Sequence, residues 1–144
     1  MTLSTNKFGG FLGIILRKNM TRANINFIYQ NQGEAPRTLF VYHNGDQYPR
    51  GLRDEYNVLE FVEGELTPER FKEWVKKNYP NDKLEDLGEG GHPKIYYTNG
   101  FITDYSYVFS TIGFTGDEIK VWNWDELIFS GDKKKFIKWI KKQK

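Results

Sequence analysis

The residues best suited to chemistry lie at positions 43–51, in the stretch HNGDQYPRG. His43 is a side chain that titrates near neutrality, and Asp46 follows closely enough to orient its ring or to share a metal ion with it. The stretch connects a predicted central strand to a predicted helix, and functional groups often lie where strands end. This pattern makes His43 and Asp46 candidates for the catalytic pair of a small hydrolase or nuclease.

The same residues also have a purely structural interpretation. Asn-Gly-Asp is typical of a turn, in which Gly45 adopts a positive φ. Pro49 ends the strand, and Gly51 releases the chain before the helix. Because this interpretation accounts for every residue without a ligand, we expect a structural corner in which His43 is half-buried and hydrogen-bonded.

This stretch resembles a signature of small proteins from bacteria, phages and other viruses, in which an aromatic strand precedes His-x-Asp-Gly-Tyr-Pro-x-Gly. The chain matches that signature at four positions, which are Asp46, Tyr48, Pro49 and Gly51. It departs at two, because Asn44 occupies the place of the histidine and Gln47 that of the first glycine. The resemblance is compatible with a viral or phage origin, implies no established activity, and does not support a catalytic role for the displaced His43.

Composition restricts the class of protein. The 144 residues are 38% hydrophobic and 28% charged, which is typical of one soluble globular domain. There is no cysteine, which excludes disulfides, thiolate catalysis and cysteine-bearing zinc sites. With only two histidines, a zinc site would need carboxylate ligands. We therefore expect no metal and no cofactor.

The apolar run at positions 8–16, FGGFLGIIL, raises the question of targeting. Nine residues are too few to span a bilayer. The run is followed by Arg17 and Lys18 and by no small-residue cleavage site, unlike a secretory signal peptide. We interpret the run as a buried strand and expect no membrane span and a cytoplasmic location, which would be the host cytoplasm for a viral protein.

Hydrophobic periodicity predicts the order β-β-β-α-α-β-β-β-α. The six strands are predicted at residues 8–16, 24–30 and 37–43, in two arms of a hairpin within 95–110, and at 119–124. The helices are predicted at 53–63, from a Thr67 N-cap to Tyr79, and at the C-terminus, while 81–94 is predicted to be a loop. This order indicates a single α+β domain over residues 1–144, with a mixed or antiparallel sheet of about six strands packed with three helices.

The C-terminal helix is strongly basic. Seven lysines and no acidic residue lie between positions 133 and 144, so the remaining 132 residues carry a net charge of −5. Lys134, Lys138 and Lys141 share one side of the predicted helix, and Trp139 flanks its apolar stripe. Such a helix suits phosphates or an acidic partner surface, but it also suits a docked terminal helix with a solvated charged side.

Three functions are compatible with these features. We expect a non-enzymatic binding or accessory protein that docks on a macromolecular partner, most simply a protein. The alternative is a nucleic-acid-binding protein that uses the basic helix together with exposed aromatic rings such as Tyr48 and Trp139. The second alternative is the small hydrolase or nuclease built on His43 and Asp46. The oligomeric state is not predicted by the sequence.

Overall fold

The computed structural model describes residues 21–95, 97–98 and 101–144. The strand predicted at residues 8–16 lies outside this part of the chain. The described strands are β1 (Arg22–Tyr29), β2 (Arg37–Asn44), β3 (Glu85–Glu89), β4 (Tyr97–Thr98), β5 (Phe101–Ile102), β6 (Tyr105–Gly113), β7 (Gly116–Asn123) and β8 (Glu126–Gly131). The described helices are α1 (Pro49–Asp54), α2 (Val58–Val62), α3 (Pro68–Asn78) and α4 (Lys133–Lys141).

Six of these strands form one mixed sheet in the order β3-β2-β1-β6-β7-β8, and β4 and β5 form a separate pair. The central strands β1 and β6 are parallel, with Ala23 opposite Tyr105, while the other neighbours are antiparallel. The predicted α+β class with a six-stranded sheet is therefore confirmed for the described residues.

The alternating residues of the central strands explain why the sheet has two unlike faces. Along β1, Ile25 and Phe27 are fully buried in the same apolar cluster as the helices. Asn24 and Asn26, which alternate with them, are also fully buried but point to the opposite face of the sheet. We call the side that packs on the helices the helical face and the opposite side the open face.

Residues 91–95 lie across part of the open face and satisfy its buried polar groups. The Asn26 amide donates to the Lys94 carbonyl at 2.9 Å, and its oxygen accepts from the Lys94 backbone N–H at 2.8 Å. The Thr38 hydroxyl donates to the Gly91 carbonyl at 2.7 Å. Asn26 thus pairs with a neighbouring segment as a backbone unit would, which explains how an amide is tolerated at the centre of the sheet.

The helix predicted at residues 53–63 is instead the two short helices α1 and α2. The break lies at Asn57, whose φ of 54° is left-handed and cannot continue a right-handed helix. Asparagine is one of the few non-glycine residues that adopts this conformation readily, since its short side chain can bond locally. The described chain therefore has four helices rather than the three predicted.

The helix predicted to start at Thr67 is confirmed as α3. The Thr67 hydroxyl accepts a hydrogen bond from the Arg70 backbone N–H at 3.1 Å, and Pro68 occupies the first helical position. The helix ends at Asn78, immediately before Tyr79-Pro80, as predicted. Its stripe of Phe71, Trp74 and Val75 is buried.

Two strands were missed by the periodicity. β3 lies inside the predicted loop, because its acidic and glycine-containing sequence EDLGE has low strand propensity and only pairing with β2 makes it a strand. β8 contains an extra residue opposite Trp122, so its side chains do not alternate regularly. Neither strand has the strict period of two on which a prediction depends.

The predicted hairpin within residues 95–110 is correct only in its first part. β4 pairs with β5, and the Asn-Gly turn between them lies outside the described residues. The predicted second arm does not continue, because Asp104 turns the chain into the main sheet. Its backbone N–H donates to the Arg22 carbonyl at 3.1 Å, and its carboxylate accepts from the Arg22 N–H at 2.9 Å. The second half of the arm is therefore β6, in the larger sheet.

Arg53 joins the end of α1 to the end of α4. Its guanidinium donates to the carbonyls of Ile140, Lys141 and Gln143 at 2.8–3.0 Å. These carbonyls lie at or just beyond the last turn of α4, where carbonyl groups lack the usual N–H partner four residues further on. A cation at this end also complements the helix dipole. No described helix is long and apolar enough to cross a membrane.

Replacing Arg53 with Ala is expected to lower the free energy of unfolding by about 2 kcal/mol, because three carbonyls lose a charged donor. The measurement is equilibrium unfolding in urea. Arg50→Ala is the matched control in the same helix, because Arg50 contacts only the Tyr48 side chain, and it should cost about 0.5 kcal/mol or less. Equal losses for the two variants would contradict this role of Arg53.

Candidate functional site

The stretch at residues 43–51 forms a tight corner between β2 and α1. Gly45 and Asp46 have φ values of 137° and 51°, so the predicted positive φ at Gly45 is confirmed. The Gly45 N–H donates to the Thr21 carbonyl at 2.8 Å, which ties the corner to the start of β1. α1 then begins at Pro49, whose peptide bond to Tyr48 is trans.

Gly51 has a different role from the one predicted. It lies within α1 rather than before it, and the helix packs directly on the Asp46 backbone. A Cβ atom added at Gly51 would lie 2.1 Å from the Asp46 carbonyl oxygen, which is far inside contact distance. Only glycine permits this approach, so the Asp-x-Tyr-Pro-x-Gly spacing is explained by backbone packing.

Gln47 anchors the corner to the core and was not identified from the sequence. The side chain is fully buried, donates to the Gly45 carbonyl at 2.9 Å and accepts from the Tyr79 hydroxyl at 3.1 Å. Its backbone carbonyl accepts from the Tyr107 hydroxyl at 2.7 Å. Gln47, one of the two residues that depart from the signature, therefore connects the corner to the end of α3 and to β6.

His43 is hydrogen-bonded on both ring nitrogens. Nδ1 lies 2.5 Å from Asp82 Oδ2, and Nε2 lies 3.0 Å from the Tyr56 hydroxyl oxygen. The His43 ring also meets the Tyr56 and Tyr79 rings edge to face. The expectation of a half-buried, hydrogen-bonded histidine is thus met, with the His43 and Asp82 side chains 22% and 24% exposed.

Asp46 is not the partner of His43. The carboxylate that holds the imidazole belongs to Asp82, which follows α3 and is 39 residues away in sequence. No hydrogen bond joins Asp46 to His43 in the described structure. Sequence proximity suggested the wrong carboxylate, because the strand carries His43 towards the end of α3 and the turn carries Asp46 towards α1.

The carboxylate–imidazole–phenol chain has the order of groups that activates nucleophiles in some enzymes. Tyr56, however, is held in its neutral form: burial, and then the charges of Asp46, Glu55 and Asp82, raise the pKa of its phenol above the ordinary value. Activation of this phenol would therefore depend on His43 as a general base and not on a lowered pKa. Among the described residues, no three acidic or histidine side chains form a group that could hold a metal ion. Packing accounts for the same contacts, because they fasten the end of β2 to the segments that follow α1 and α3.

The candidate binding residues of the C-terminal helix have separate environments. Lys134 and Lys138 are exposed, whereas the Lys141 ammonium lies 3.5 Å from the Glu63 carboxylate. Trp139 is half-buried, with its ring centroid 5.1 Å from that of Phe129. The apolar stripe is thus docked as an ordinary terminal helix would be, and it leaves a charged side in water.

Tyr48 is the N-cap residue of α1, and its ring is covered in part by the Arg50 guanidinium, 5.6 Å from the centroid. The structure brings Tyr48 into contact with neither Lys134 nor Trp139. The predicted binding residues thus do not form one cluster.

A second surface was not found from the sequence. The exposed large apolar side chains of the described residues are Ile112, Phe114, Trp124 and Leu127. All four belong to β6, β7, β8 or the turns between them, and Phe114 is fully exposed at the tip of the β6–β7 turn. Contiguous exposed apolar surface on a small protein often marks an interaction site.

A groove of about 360 Å³ lies on the open face in the same half of the sheet. Its apolar walls include Ile28, Ile95, Val108 and Trp122, and it reaches the exposed Ile112. Leu127, which is 48% exposed, is the cross-strand neighbour of Trp122. We call the groove, together with the bordering Ile112 and Leu127 and with Phe114 at the tip of the β6–β7 turn, the apolar surface. The sequence contained one signal of it, a phenylalanine within the turn sequence GFTG.

Comparison of the chain with protein-family models, curated proteins and solved structures found no match.

Replacing His43 with Ala is expected to lower the free energy of unfolding by about 2 kcal/mol, because Asp82 and Tyr56 lose their common partner and two ring contacts are removed. Asp46→Asn is the matched control in the same corner. It should change stability by about 0.5 kcal/mol or less, since asparagine tolerates the left-handed conformation. Thermal unfolding monitored by circular dichroism measures both. An unchanged midpoint for His43→Ala would instead favour a catalytic histidine.

Stability is expected to fall at alkaline pH because of Tyr79 and Tyr107. Burial raises the pKa of both phenols well above the ordinary value of 10.0. Below that pH both states of the protein keep the phenols protonated, so their contribution is fully present. Above about pH 10 only the unfolded chain loses these protons, and each tyrosine then costs about 1.4 kcal/mol of stability per pH unit.

The measurement is phenolate absorbance recorded alongside circular dichroism during a titration with base. Two tyrosines should ionise only in the unfolding transition, and Tyr79→Phe should reduce that number to one. Ionisation of every tyrosine while the fold is intact would show that these two phenols are not protected.

Proposed function

We propose that this protein is a non-enzymatic binding protein that docks a protein partner on its apolar surface. The observation that carries the proposal is the gathering of all four exposed large apolar side chains of the described residues in the β6–β8 half of the molecule. A partner that covers the apolar surface removes apolar area from water, which contributes about 25 cal/mol per Å² to the free energy of binding. Aromatic and aliphatic anchors of this kind are typical centres of protein interfaces.

The packing role of the corner at residues 43–51 supports the same proposal. The histidine is engaged on both nitrogens, and the glycine and proline of the motif are explained by the packing of α1. A hydrolase or nuclease would need a base or a metal-binding group that substrate can reach. Packing therefore explains every feature of this corner that suggested an enzyme.

Nucleic-acid binding is the second candidate, and one observation favours it. Lys134, Lys135 and Lys138 are exposed and take part in no ion pair within the described structure. Such a surface would neutralise phosphates and release the counterions condensed on the nucleic acid, so affinity would fall steeply with salt. The half-buried Trp139 does not offer a free ring for stacking, so this candidate depends on charge alone.

The proposed test uses three baits in extracts of the native host cell, each with and without nuclease. The apolar-surface variant carries Phe114→Ser and Leu127→Ser, and the matched control carries Lys134→Ser and Lys138→Ser. All four side chains are exposed, so both variants should keep the thermal midpoint of the wild type within a few degrees.

We expect the wild type and the lysine variant to bind one protein partner, and nuclease should not release it. The apolar-surface variant should bind about tenfold less of this partner, or even less. Loss of binding in the lysine variant together with release by nuclease would contradict the proposal. That result would favour a nucleic-acid-binding protein instead.

A further inference from the structure

The two edges of the six-stranded sheet differ in how well they are protected. β3 forms one edge with the sequence EDLGE, in which acidic side chains discourage pairing with another chain. β8 forms the other edge with the sequence ELIFSG, which contains a single charge and three consecutive large apolar residues. Within the described residues no strand pairs with the outer side of β8. An apolar edge strand with a single charge can be a template for strand addition.

The faces to which the side chains of β8 point follow the same order from either end of the strand. Leu127 lies opposite Trp122, and Phe129 lies opposite Val121, so Ile128 is an extra residue in the middle of the strand. Leu127 and Ser130 therefore share the open face, while Glu126 and Gly131 share the helical face. Ile128 and Phe129, the two middle residues, both pack against the core, so the order of faces is the same from either end of the strand.

This symmetry suits antiparallel pairing of β8 with a second β8. Residues directly opposite each other in an antiparallel pair must lie on the same face. With a two-fold axis between Ile128 and Phe129, Leu127 of one copy meets Ser130 of the other, and Glu126 meets Gly131, each pair on one face. A regularly alternating strand of six residues would put these pairs on opposite faces.

Charge is complementary in the same register. Gly131 has no side chain, and Lys135 lies over it: a Cβ atom added at Gly131 would be 3.2 Å from Lys135 Cβ and 3.4 Å from its Cδ. Glu126 and Lys135 are exposed, and neither takes part in an ion pair among the described residues. Pairing of Glu126 with Gly131 would bring each carboxylate beside the Lys135 ammonium of the other copy.

We propose that two copies of this chain associate through antiparallel pairing of their β8 strands, with Glu126 of each copy beside Lys135 of the other. The result is one continuous sheet of twelve strands with two-fold symmetry. Leu127 lies on the open face next to the axis, so the two apolar surfaces would be neighbours in this dimer. The proposal is independent of the partner proposed above, because it needs only a second copy.

The test is the mass of the full chain by sedimentation equilibrium. The wild type should reach twice the 17.0 kDa of one chain. Glu126→Lys and Lys135→Glu should each weaken self-association about tenfold or more, because each change places like charges together at two symmetric positions. An equimolar mixture of the two variants should recover wild-type association, since both contacts of the mixed dimer again join opposite charges.

Matched controls carry the same charge changes on α3, at the exposed residues Glu73 and Lys72. Glu73→Lys and Lys72→Glu should associate as the wild type does, which separates a local contact from an effect of net charge. A wild type that stays monomeric up to about 1 mM would overturn the proposal and show that the bulge at Ile128 shields the edge. A dimer that ignores both charge reversals, or a mixture that does not recover, would overturn the proposed interface.

Discussion

The parallel pairing of β1 with β6 is the constraint on which the rest of the structure depends. Its register joins Ala23 to Tyr105 across most of the described chain. Parallel neighbours cannot be joined by a tight turn, so everything between the two strands has to leave the sheet and return. The intervening chain supplies β2, three helices and β3 before residues 91–95 cross the open face. The two unlike faces of the sheet follow from this one long-range contact.

The corner after β2 is also held by close packing and hydrogen bonds. α1 can press on the Asp46 carbonyl because Gly51 has no side chain, and Gln47 then reaches the Tyr79 and Tyr107 hydroxyls. His43 completes the network between Asp82 and Tyr56. A motif that suggests chemistry by its residue types is thus the place where the sheet, α1 and α3 are fastened together. Hydrogen-bonded polar groups in such a position specify one arrangement of the surrounding elements.

The charged and the apolar parts of the outer surface lie in different places. The lysines of α4 lie on the side of the helices, whereas the apolar surface lies on the β6–β8 half of the sheet. A protein partner on the sheet and a charged surface in water are compatible with each other, because they do not compete for the same residues. If β8 also pairs with a second copy, the sheet provides recognition and assembly side by side.

The sequence by itself determined the local structure wherever a strong signal acts over a few residues. Thr67-Pro68 specifies the start of α3, and Gly45 specifies a turn, because capping and φ preferences are local. Tertiary structure decided the rest. β3 exists through its pairing with β2, the partner of His43 comes from 39 residues away, and an extra residue in β8 hides its periodicity. These features depend on which segments meet in space, and no property of the segments taken one at a time encodes that.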